Sequence, residues 1–303
     1  MVWFNLLGQM LMVWGGYLFK MALVREPHLS SLTGSLFRVV LNLMLVVGVV
    51  ACMRGSSRTI WQRFRGAKPR GLMVWGLLGS LTIIFYFITL EHLGVGQSSF
   101  LINTNGAMMV VLSPLLLRER LHKWLFVNAC FAILGSYLIM FADVSGMRAG
   151  DLTFLCTGLL SGLTAALAYI WIGRHHVQES TWTIMFYWSA MAVAIHLGLA
   201  YMEPIAMPEN SYTWILLLGS GVAACLGQYG VTASFQAPDN LVYAVLAYVG
   251  ATFALGLDAV LGEVETSLVQ LGGAMMIILS SVLSVRSSRR SMLVQEIPVV
   301  AKS

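Results

Sequence analysis

Charged residues are scarce in this chain. Asp, Glu, Lys and Arg together make up 10% of its 303 residues, whereas soluble domains carry about 25%. Hydrophobic residues make up 58%, and a soluble fold of this size has too little interior to bury them. The longest polar stretch is residues 54–70, which leaves no room for a separate soluble catalytic or nucleic-acid-binding domain. The composition therefore predicts a protein that is folded in a lipid bilayer and does not bind nucleic acid.

Sequence patterns of metal sites and of enzymes are also missing. The four cysteines, Cys52, Cys130, Cys156 and Cys225, lie in or at the ends of apolar segments, with no C-x-x-C pair and no histidine at ligand spacing. We expect them to pack as small apolar side chains, with no disulfide and no metal. The chain has no Ser/His/Asp order, no H-E-x-x-H and no Walker sequence. The sequence thus predicts neither an enzyme nor a cofactor.

The chain does contain ten apolar segments, each close to the ~20 residues that cross a bilayer. The first lacks the basic start and the cleavage site of a signal peptide, so we interpret it as a permanent span. Segments of this length satisfy their backbone in lipid only as helices, and the alternating segments of a barrel are not visible. We predict an all-α integral membrane fold with ten transmembrane helices, at residues 3–24, 32–53, 71–91, 97–117, 122–142, 152–173, 181–201, 211–235, 240–260 and 266–286.

Lys and Arg are distributed unevenly over the loops between these spans. With the N-terminus inside, all but four of the 18 cations fall in cytoplasmic loops or in the C-terminal tail. The exceptions are Lys20 and Arg38 within spans, and Arg25 and Arg148 in outer loops. Because positively charged loops stay in the cytoplasm, we predict a multi-pass protein of the cytoplasmic (inner) membrane with both termini cytoplasmic. The basic loop 54–70 is expected to contact anionic lipid.

The two halves of the chain show a weak internal repeat at an offset of 144 residues. At this offset Gly106 aligns with Gly250 and Glu119 with Glu263, and spans four and five align with spans nine and ten without a gap. Each half holds an odd number of spans, so the second half runs with the opposite topology. We predict two inverted five-helix repeats, residues 1–145 and 146–288, followed by a cytoplasmic tail at 289–303. Inverted repeats are typical of secondary transporters.

Several short motifs in this order resemble the EamA-type repeat of the drug/metabolite transporter superfamily, over residues 5–285. In the first half they are Trp14-Gly15, Arg38-Val39, Phe85-Tyr86-Phe87, Thr89-Leu90, the stretch 94–98, Arg118-Glu119-Arg120-Leu121 and Ile133-Leu134-Gly135. In the second half they are Gly150-Asp151-Leu152, Gly262-Glu263 and the stretch 271–274. Where the family usually has a Pro before the Glu of each half, this chain has Gly106 and Gly250.

The resemblance implies a ten-helix transporter with two-fold pseudosymmetry, often an exporter of amino acids or other small metabolites. Its cavity would be lined mainly by spans one, three, four, six, eight and nine. Gly106 and Gly250 would act as hinges, since glycine loosens a helix.

Amides and phenols concentrate in the spans that the family places around a cavity. Interhelical hydrogen bonding is the alternative explanation for each of them, but the set as a whole favours a pocket. Apolar and aromatic walls with a few amides suit an amphipathic organic solute better than a bare ion. The candidate substrate-binding residues are Tyr17, Tyr86, Asn103, Asn105, Tyr169, Gln228, Tyr229, Tyr243 and Tyr248.

Ionisable side chains within spans need a specific reason, because each costs about 2.5–3.5 kcal/mol on insertion scales. Lys20, Arg38 and Asp258 all fall in the outer half and are candidates for a gate or charge pair. The alternatives are snorkelling for Lys20, a structural tie or carboxylate binding for Arg38, and contact with interfacial water for Asp258. His196 is a candidate proton sensor, with a structural hydrogen bond as the alternative. Helix capping is the favoured role of Glu119 and Glu263.

The leading hypothesis is a secondary active transporter that moves a small organic metabolite, amino-acid-like or amphipathic, by alternating access, with export as the favoured direction. Uptake of a vitamin- or nucleoside-like solute is the alternative. A membrane enzyme or a non-transporting scaffold fits the sequence less well. The expected partners are a small-molecule substrate and the lipid bilayer, in a monomer or weak dimer; proton coupling stays open.

Overall fold

The structure is a computed structural model that describes residues 1–53, 64–93, 95–117, 123–141, 151–175, 178–201, 205–237, 240–261 and 267–296. Within these ranges the regular secondary structure is helical throughout. The helices are α1 (Val2–Arg25), α2 (Ser31–Cys52), α3 (Pro69–Leu93), α4 (Val95–Asn103), α5 (Asn105–Leu117), α6 (Lys123–Phe141), α7 (Asp151–His175), α8 (Thr181–Leu199), α9 (Ser211–Phe235), α10 (Asn240–Leu246), α11 (Val249–Leu261) and α12 (Leu268–Glu296). The predicted all-helical membrane fold is confirmed.

Eight segments of the described chain are long and apolar enough to cross a membrane. They are α1, α2, α3, α7, α8, α9, the first part of α12, and residues 97–116 of the consecutive helices α4 and α5. Two shorter apolar segments, Lys123–Ile139 and Val242–Leu257, coincide with predicted spans five and nine. Crossing of the bilayer by these two remains a prediction.

Predicted spans four and nine are each broken in the middle. In span four the break is at Thr104, whose N–H bonds the carbonyl oxygens of both Phe100 (3.1 Å) and Leu101 (3.3 Å). In span nine the N–H of Tyr248 bonds the carbonyl of Val245 at 3.3 Å. Bonds to the residue three positions earlier tighten a helix and interrupt its regular ladder. Thr104 and Tyr248 are 144 residues apart, and each precedes one of the predicted hinge glycines by two residues.

Gly106 and Gly250 also permit close packing at these breaks. A Cβ on Gly106 would overlap the carbonyl of Ala244, so α5 and α10 approach each other at backbone distance. A Cβ on Gly250 would lie 3.3 Å from Asn103 Nδ2. The structure therefore assigns both glycines a packing role; their action as hinges stays a prediction.

Two extensively packed pairs of long helices are α1 with α9 and α3 with α7. In the first pair Asn5 Nδ2 donates to Ser234 Oγ (2.7 Å), and Ser220 Oγ donates to the carbonyl of Gly15 (2.7 Å). In the second pair Trp171 Nε1 donates to the carbonyl of Gly71 at 3.0 Å. The start of one helix meets the end of the other in both pairs, so both are antiparallel.

Two further pairs, α2 with α8 and α6 with α12, are antiparallel as well. His196 Nε2 lies 2.8 Å from Ser35 Oγ across the first pair. Across the second pair Asn128 Nδ2 donates to Ser284 Oγ (3.0 Å), and Gln270 Nε2 donates to the carbonyl of Ile139 (3.2 Å). Side chains of one helix thus satisfy polar groups of the next, as a bilayer requires.

These directions define two ends of the bundle. We call one side of the bundle the Arg25 end; there α1 terminates and α2 and α9 begin. The opposite side is the Phe235 end. At the Phe235 end, Gln236 Nε2 donates to the carbonyl of Glu179 (2.8 Å), and the Glu179 carboxylate accepts from the N–H of Ala67 (2.6 Å). The charge distribution predicts that the Arg25 end is extracellular.

Helices α1 and α9 touch through glycine. A Cβ built on Gly227 would lie 2.7 Å from the carbonyl oxygen of Gly8, and one on Gly8 would lie 2.8 Å from that of Gly227. Small residues at such contacts let helix backbones approach closely in membranes.

Replacing Gly227 by Leu should therefore destabilise the protein. Forcing extra atoms into a packed interface typically costs about 1–3 kcal/mol, so the melting temperature in detergent should fall by several degrees, followed by intrinsic fluorescence or by size-exclusion chromatography after heating. Gly48→Leu is the matched control, because a Cβ on Gly48 has no atom within 4 Å. Equal melting temperatures for the two variants would contradict the close contact.

At the Arg25 end, Glu26 ties the end of α1 to the start of α9. Its carboxylate accepts from the N–H groups of Glu209 (2.9 Å) and Asn210 (3.0 Å). The hydroxyl of Thr213 beside it and these two N–H groups, with some help from His28, hold the pKa of Glu26 below its usual range. Such bonding favours the ionised carboxylate.

The contribution of Glu26 to stability should consequently depend on pH. A group whose pKa is lower in the folded state stabilises the fold above its unfolded pKa, and this stabilisation is lost as the pH falls through the folded value. The melting-temperature difference between wild type and Glu26→Gln should shrink as the pH falls below about 4.3, the pKa of an unperturbed Glu. A melting-temperature difference that grows as the pH falls below that value would contradict the stabilising role of the ionised carboxylate.

Candidate functional site

A cavity of about 80 Å³ lies in the middle of the bundle, among α1, α2, α3, α4, α5, α7, α8 and α9. A single water needs about 10–15 Å³, so the cavity has room for several waters or for one polar group of a solute. Its walls combine aromatic rings with amides and hydroxyls: Trp75, Tyr86, Tyr169, Trp188 and Phe235, together with Gln9, Thr82, Ser99, Asn103, Asn105 and Gln228.

Arg38 is the one charged side chain among the residues that line this cavity. It is 6% exposed. Its Nη2 donates to Met12 Sδ at 3.1 Å, and its guanidinium lies 5.7 Å from the centre of the Phe87 ring. Nε has no hydrogen-bond partner in the described part of the chain. A cation is thus buried here with a sulfur atom and an aromatic face as its neighbours.

Unpartnered nitrogen donors are concentrated at the cavity. Among the buried side chains that the structure describes, two nitrogen atoms lack an acceptor, Arg38 Nε and Trp75 Nε1, and both residues line the cavity. Asn105 Oδ1 on the same wall also lacks a partner. An unpaired buried donor is costly, so these atoms point to a polar ligand that completes their bonding.

Two aromatic pairs lie towards the two ends of the cavity. Tyr169 stacks on Phe235 with ring centres 4.1 Å apart, near the Phe235 end. Phe19 packs on Phe87 with centres 4.8 Å apart, on the side of the Arg25 end. The Phe19 ring also fills the space above Gly34, where a Cβ would overlap it. Tyr169 and Phe235 belong to the cavity wall, whereas Phe19 and Phe87 pack beside it.

Five of the predicted substrate-binding residues line the cavity, namely Tyr86, Asn103, Asn105, Tyr169 and Gln228, and Arg38 joins them. Four others lie elsewhere. Tyr17 lies in α1, one turn beyond the lining residue Val13, and its ring stacks on that of Trp14 with ring centres 6.4 Å apart. Tyr229 packs on Trp182 (4.5 Å). Tyr243 and Tyr248 belong to the apolar core around α10.

The remaining ionisable candidates are not part of the cavity wall. Lys20 is half-buried in α1 and is not a lining residue. The side chain of Asp258, in α11, lies outside the described residues, as do Glu119 and Glu263. His196 is fully buried, with Nδ1 2.7 Å from the carbonyl of Ala192 and Nε2 on Ser35. This geometry supports the structural role of His196 that the sequence left open.

Metal-binding and disulfide chemistry find no support in the described ranges. No group of three or more His, Cys, Asp or Glu side chains is arranged there to hold a metal ion. The four cysteines have free thiols, and of these Cys225 is buried.

Sequence reasoning missed several wall residues. Trp75 and Trp188 contact each other at 6.4 Å between ring centres and form part of the wall with Met12. Trp188 lies on span seven, which the family resemblance does not place at the cavity. No sequence signal distinguishes these side chains, because apolar rings in a span also face lipid.

Apolar helices around a partly polar central cavity define a multi-pass membrane protein with a candidate site for a small molecule. Comparison with known proteins narrows this class. Residues 4–141 match the model of the EamA-like transporter family, which confirms the resemblance found in the sequence. The match covers the first of the two predicted repeats and indicates a membrane transporter.

Individual relatives agree with the family match. The chain is 27% identical over 218 residues to proteins named "Pseudopaline exporter CntI" in two strains of Pseudomonas aeruginosa, covering 70% of this chain and 74% of theirs. It is also 27% identical to an uncharacterized transporter of Helicobacter pylori, over 68% of this chain and 70% of that one. One solved crystal structure superposes with a TM-score of 0.76 at 15% identity, covering 95% of this chain and 98% of the other. That likeness supports the fold.

Proposed function

We propose that this protein is a secondary active exporter of a small organic metabolite, which works by alternating access. The observation that carries the proposal is the central cavity, whose wall combines aromatic rings with amides and one buried cation. In an alternating-access cycle such a cavity opens to one side of the membrane at a time. Export, rather than uptake, rests on the named exporters among the relatives.

Two inverted five-helix repeats, residues 1–145 and 146–288, provide the symmetry for such a cycle. The helix breaks at Thr104 and Tyr248 occupy equivalent positions in the two repeats. Three pairs join corresponding spans of the two halves, namely two with seven, four with nine and five with ten. In addition, span one packs on span eight, and span three packs on span six. An exchange of the two halves leaves this set of pairs unchanged. The pairing therefore supports ten spans with opposite orientation of the halves.

The two aromatic pairs are candidates for the two gates. Tyr169 and Phe235 lie 150 and 148 positions after Phe19 and Phe87, and they occupy predicted spans six and eight where the first pair occupies spans one and three. Although these offsets differ from the 144 residues of the repeat, the two pairs lie in corresponding spans, which run in opposite directions in an inverted repeat. Rocking of the halves would separate one pair while it closes the other.

The position of His196 does not support a role in which this residue exchanges a proton while it contacts the substrate. His196 bridges α2 and α8 and does not line the cavity. Proton coupling, if present, would act through other groups or through a conformational effect of this bridge.

Comparison of metabolites inside and outside cells that overproduce or lack the protein tests the proposal. We expect at least one small metabolite to accumulate in the medium of the overproducing cells. Its export rate should fall about two- to tenfold in each of Asn103→Ala, Tyr86→Ala and Gln228→Ala, because each variant loses one hydrogen bond to the solute. Tyr201→Ala is the control, because Tyr201 is 96% exposed.

Two results would count against the proposal. If no metabolite responds to overproduction, the protein is not an exporter. If all three cavity variants export as well as wild type at equal protein levels, the solute takes another path.

The gates can be tested by labelling of Ile102→Cys, a half-buried position of the cavity wall, in a background whose four native cysteines are replaced by alanine. A membrane-impermeant thiol reagent is applied to intact cells. Phe19→Ala removes a ring at the Arg25 end and so favours the state that is open at that end. Labelling should rise several-fold, since ~1.4 kcal/mol shifts a two-state equilibrium tenfold. Phe235→Ala should lower it.

Phe131→Ala, at a position 49% exposed on the outside of the bundle, serves as the control and should leave labelling unchanged. Opposite responses of the two gate variants support the gates, and the variant that raises labelling identifies the extracellular end. A change in the same direction in both variants would contradict them.

A further inference from the structure

We infer that the transported solute is an organic carboxylate, whose carboxyl group binds Arg38 in the central cavity. The inference rests on the proposed export function and names the chemical class of its substrate. It starts from the bonding that the guanidinium lacks.

Arg38 has no protein counter-ion in the described part of the chain. The one ion pair there joins His28 and Glu26 at 3.6 Å, in the loop of the Arg25 end. Helix α2 packs on α8, α9 and α3, and α11, which carries Asp258, is not among these extensive neighbours. Because a cation within a span costs about 2.5–3.5 kcal/mol on insertion scales, a permanent absence of an anion would leave that cost largely uncompensated.

A purely structural Arg38 would look different. Several other polar side chains between the helices are bonded to the facing helix, as Asn128 is to Ser284 and His196 is to Ser35. The guanidinium has five N–H donors, yet Met12 Sδ is the one hydrogen-bond acceptor it reaches among the described residues. Met12 and Phe87 support the group, while its remaining donors stay available.

The cavity also explains why the ligand should be an anion. Arg38 carries the one charge on the wall, so the cavity has an uncompensated positive charge in a low-dielectric surrounding. Trp75 Nε1 is a second unused donor on the same wall. Guanidinium groups pair with carboxylates through two parallel hydrogen bonds, which are about twice as strong as neutral ones.

A carboxylate fits better than a phosphate. A phosphate monoester carries about −1.5 to −2 charges at neutral pH, and a single arginine would leave part of that charge unpaired in the membrane. A carboxylate carries one charge, which Arg38 neutralises. The rings of Trp75, Trp188 and Phe235 leave an apolar or aromatic surface for the rest of the molecule.

Metabolite comparison with charge variants tests the inference. Cells producing wild type, Arg38→Gln, Arg38→Lys or Arg65→Gln are compared with cells lacking the protein. The compounds that wild type exports should carry a carboxyl group. Their export should fall about tenfold or more in Arg38→Gln, because this variant loses a charged hydrogen bond to the carboxylate, whose free energy corresponds to such a factor. Arg38→Lys should retain part of it, because the charge remains while the planar fork is lost.

Arg65→Gln is the matched control, an identical substitution of an exposed arginine outside the cavity, and it should export normally. Should Arg38→Gln fail to fold, wild type alone decides: an exported acid should be moved at least tenfold faster than its own primary amide. Export of compounds without a carboxyl group, phosphate esters included, overturns the inference and leaves the export function intact. Equal transport of acid and amide, or unimpaired export by Arg38→Gln, also overturns it. No exported compound at all overturns the proposed function instead.

Discussion

A bilayer core offers no water, so every backbone and side-chain hydrogen bond in this protein must be made within the helices or between them. That constraint explains the helical form of each span and the bonds across antiparallel pairs, such as Asn5 to Ser234. It also explains the glycine contacts, because helices without a hydrophobic driving force associate through close packing. Gly8 and Gly227 bring α1 and α9 together at backbone distance.

The same constraint makes exceptions informative. The two buried nitrogen donors without an acceptor, among the described side chains, are Arg38 Nε and Trp75 Nε1, and they share one cavity. Helix breaks at Thr104 and at Tyr248 come close to this cavity through Asn103, Asn105 and the α5–α10 contact. Irregular backbone at membrane depth is tolerated where it is buried in protein or lines a cavity. The two unpartnered nitrogen donors and the irregular backbone therefore lie in the same region, which is the candidate site.

Sequence reasoning recovered eight of the ten predicted spans as helices long and apolar enough to cross a membrane, because twenty-residue apolar runs between charged loops have few alternative structures in a membrane. It recovered the wall residues less completely. Gln228 faces the cavity, but the adjacent Tyr229 points about 100° around the helix and packs on Trp182. Tyr243 and Tyr248 lie in a core that the break of span nine creates. Trp188 was missed because its span has no polar pattern. Rotation of each helix about its own axis was the missing information.

Composition and length were enough to establish a helical membrane protein, since this follows from hydrophobicity along the chain, and short motifs in order gave the family resemblance; the inverted repeat stays a prediction. The structure alone decided which side chains meet. It placed Arg38 against Met12 and Phe87 without a carboxylate partner among the described residues, and it set Tyr169 on Phe235. Such contacts join residues that are distant in the chain, and they depend on helix rotation and packing, which local sequence does not encode.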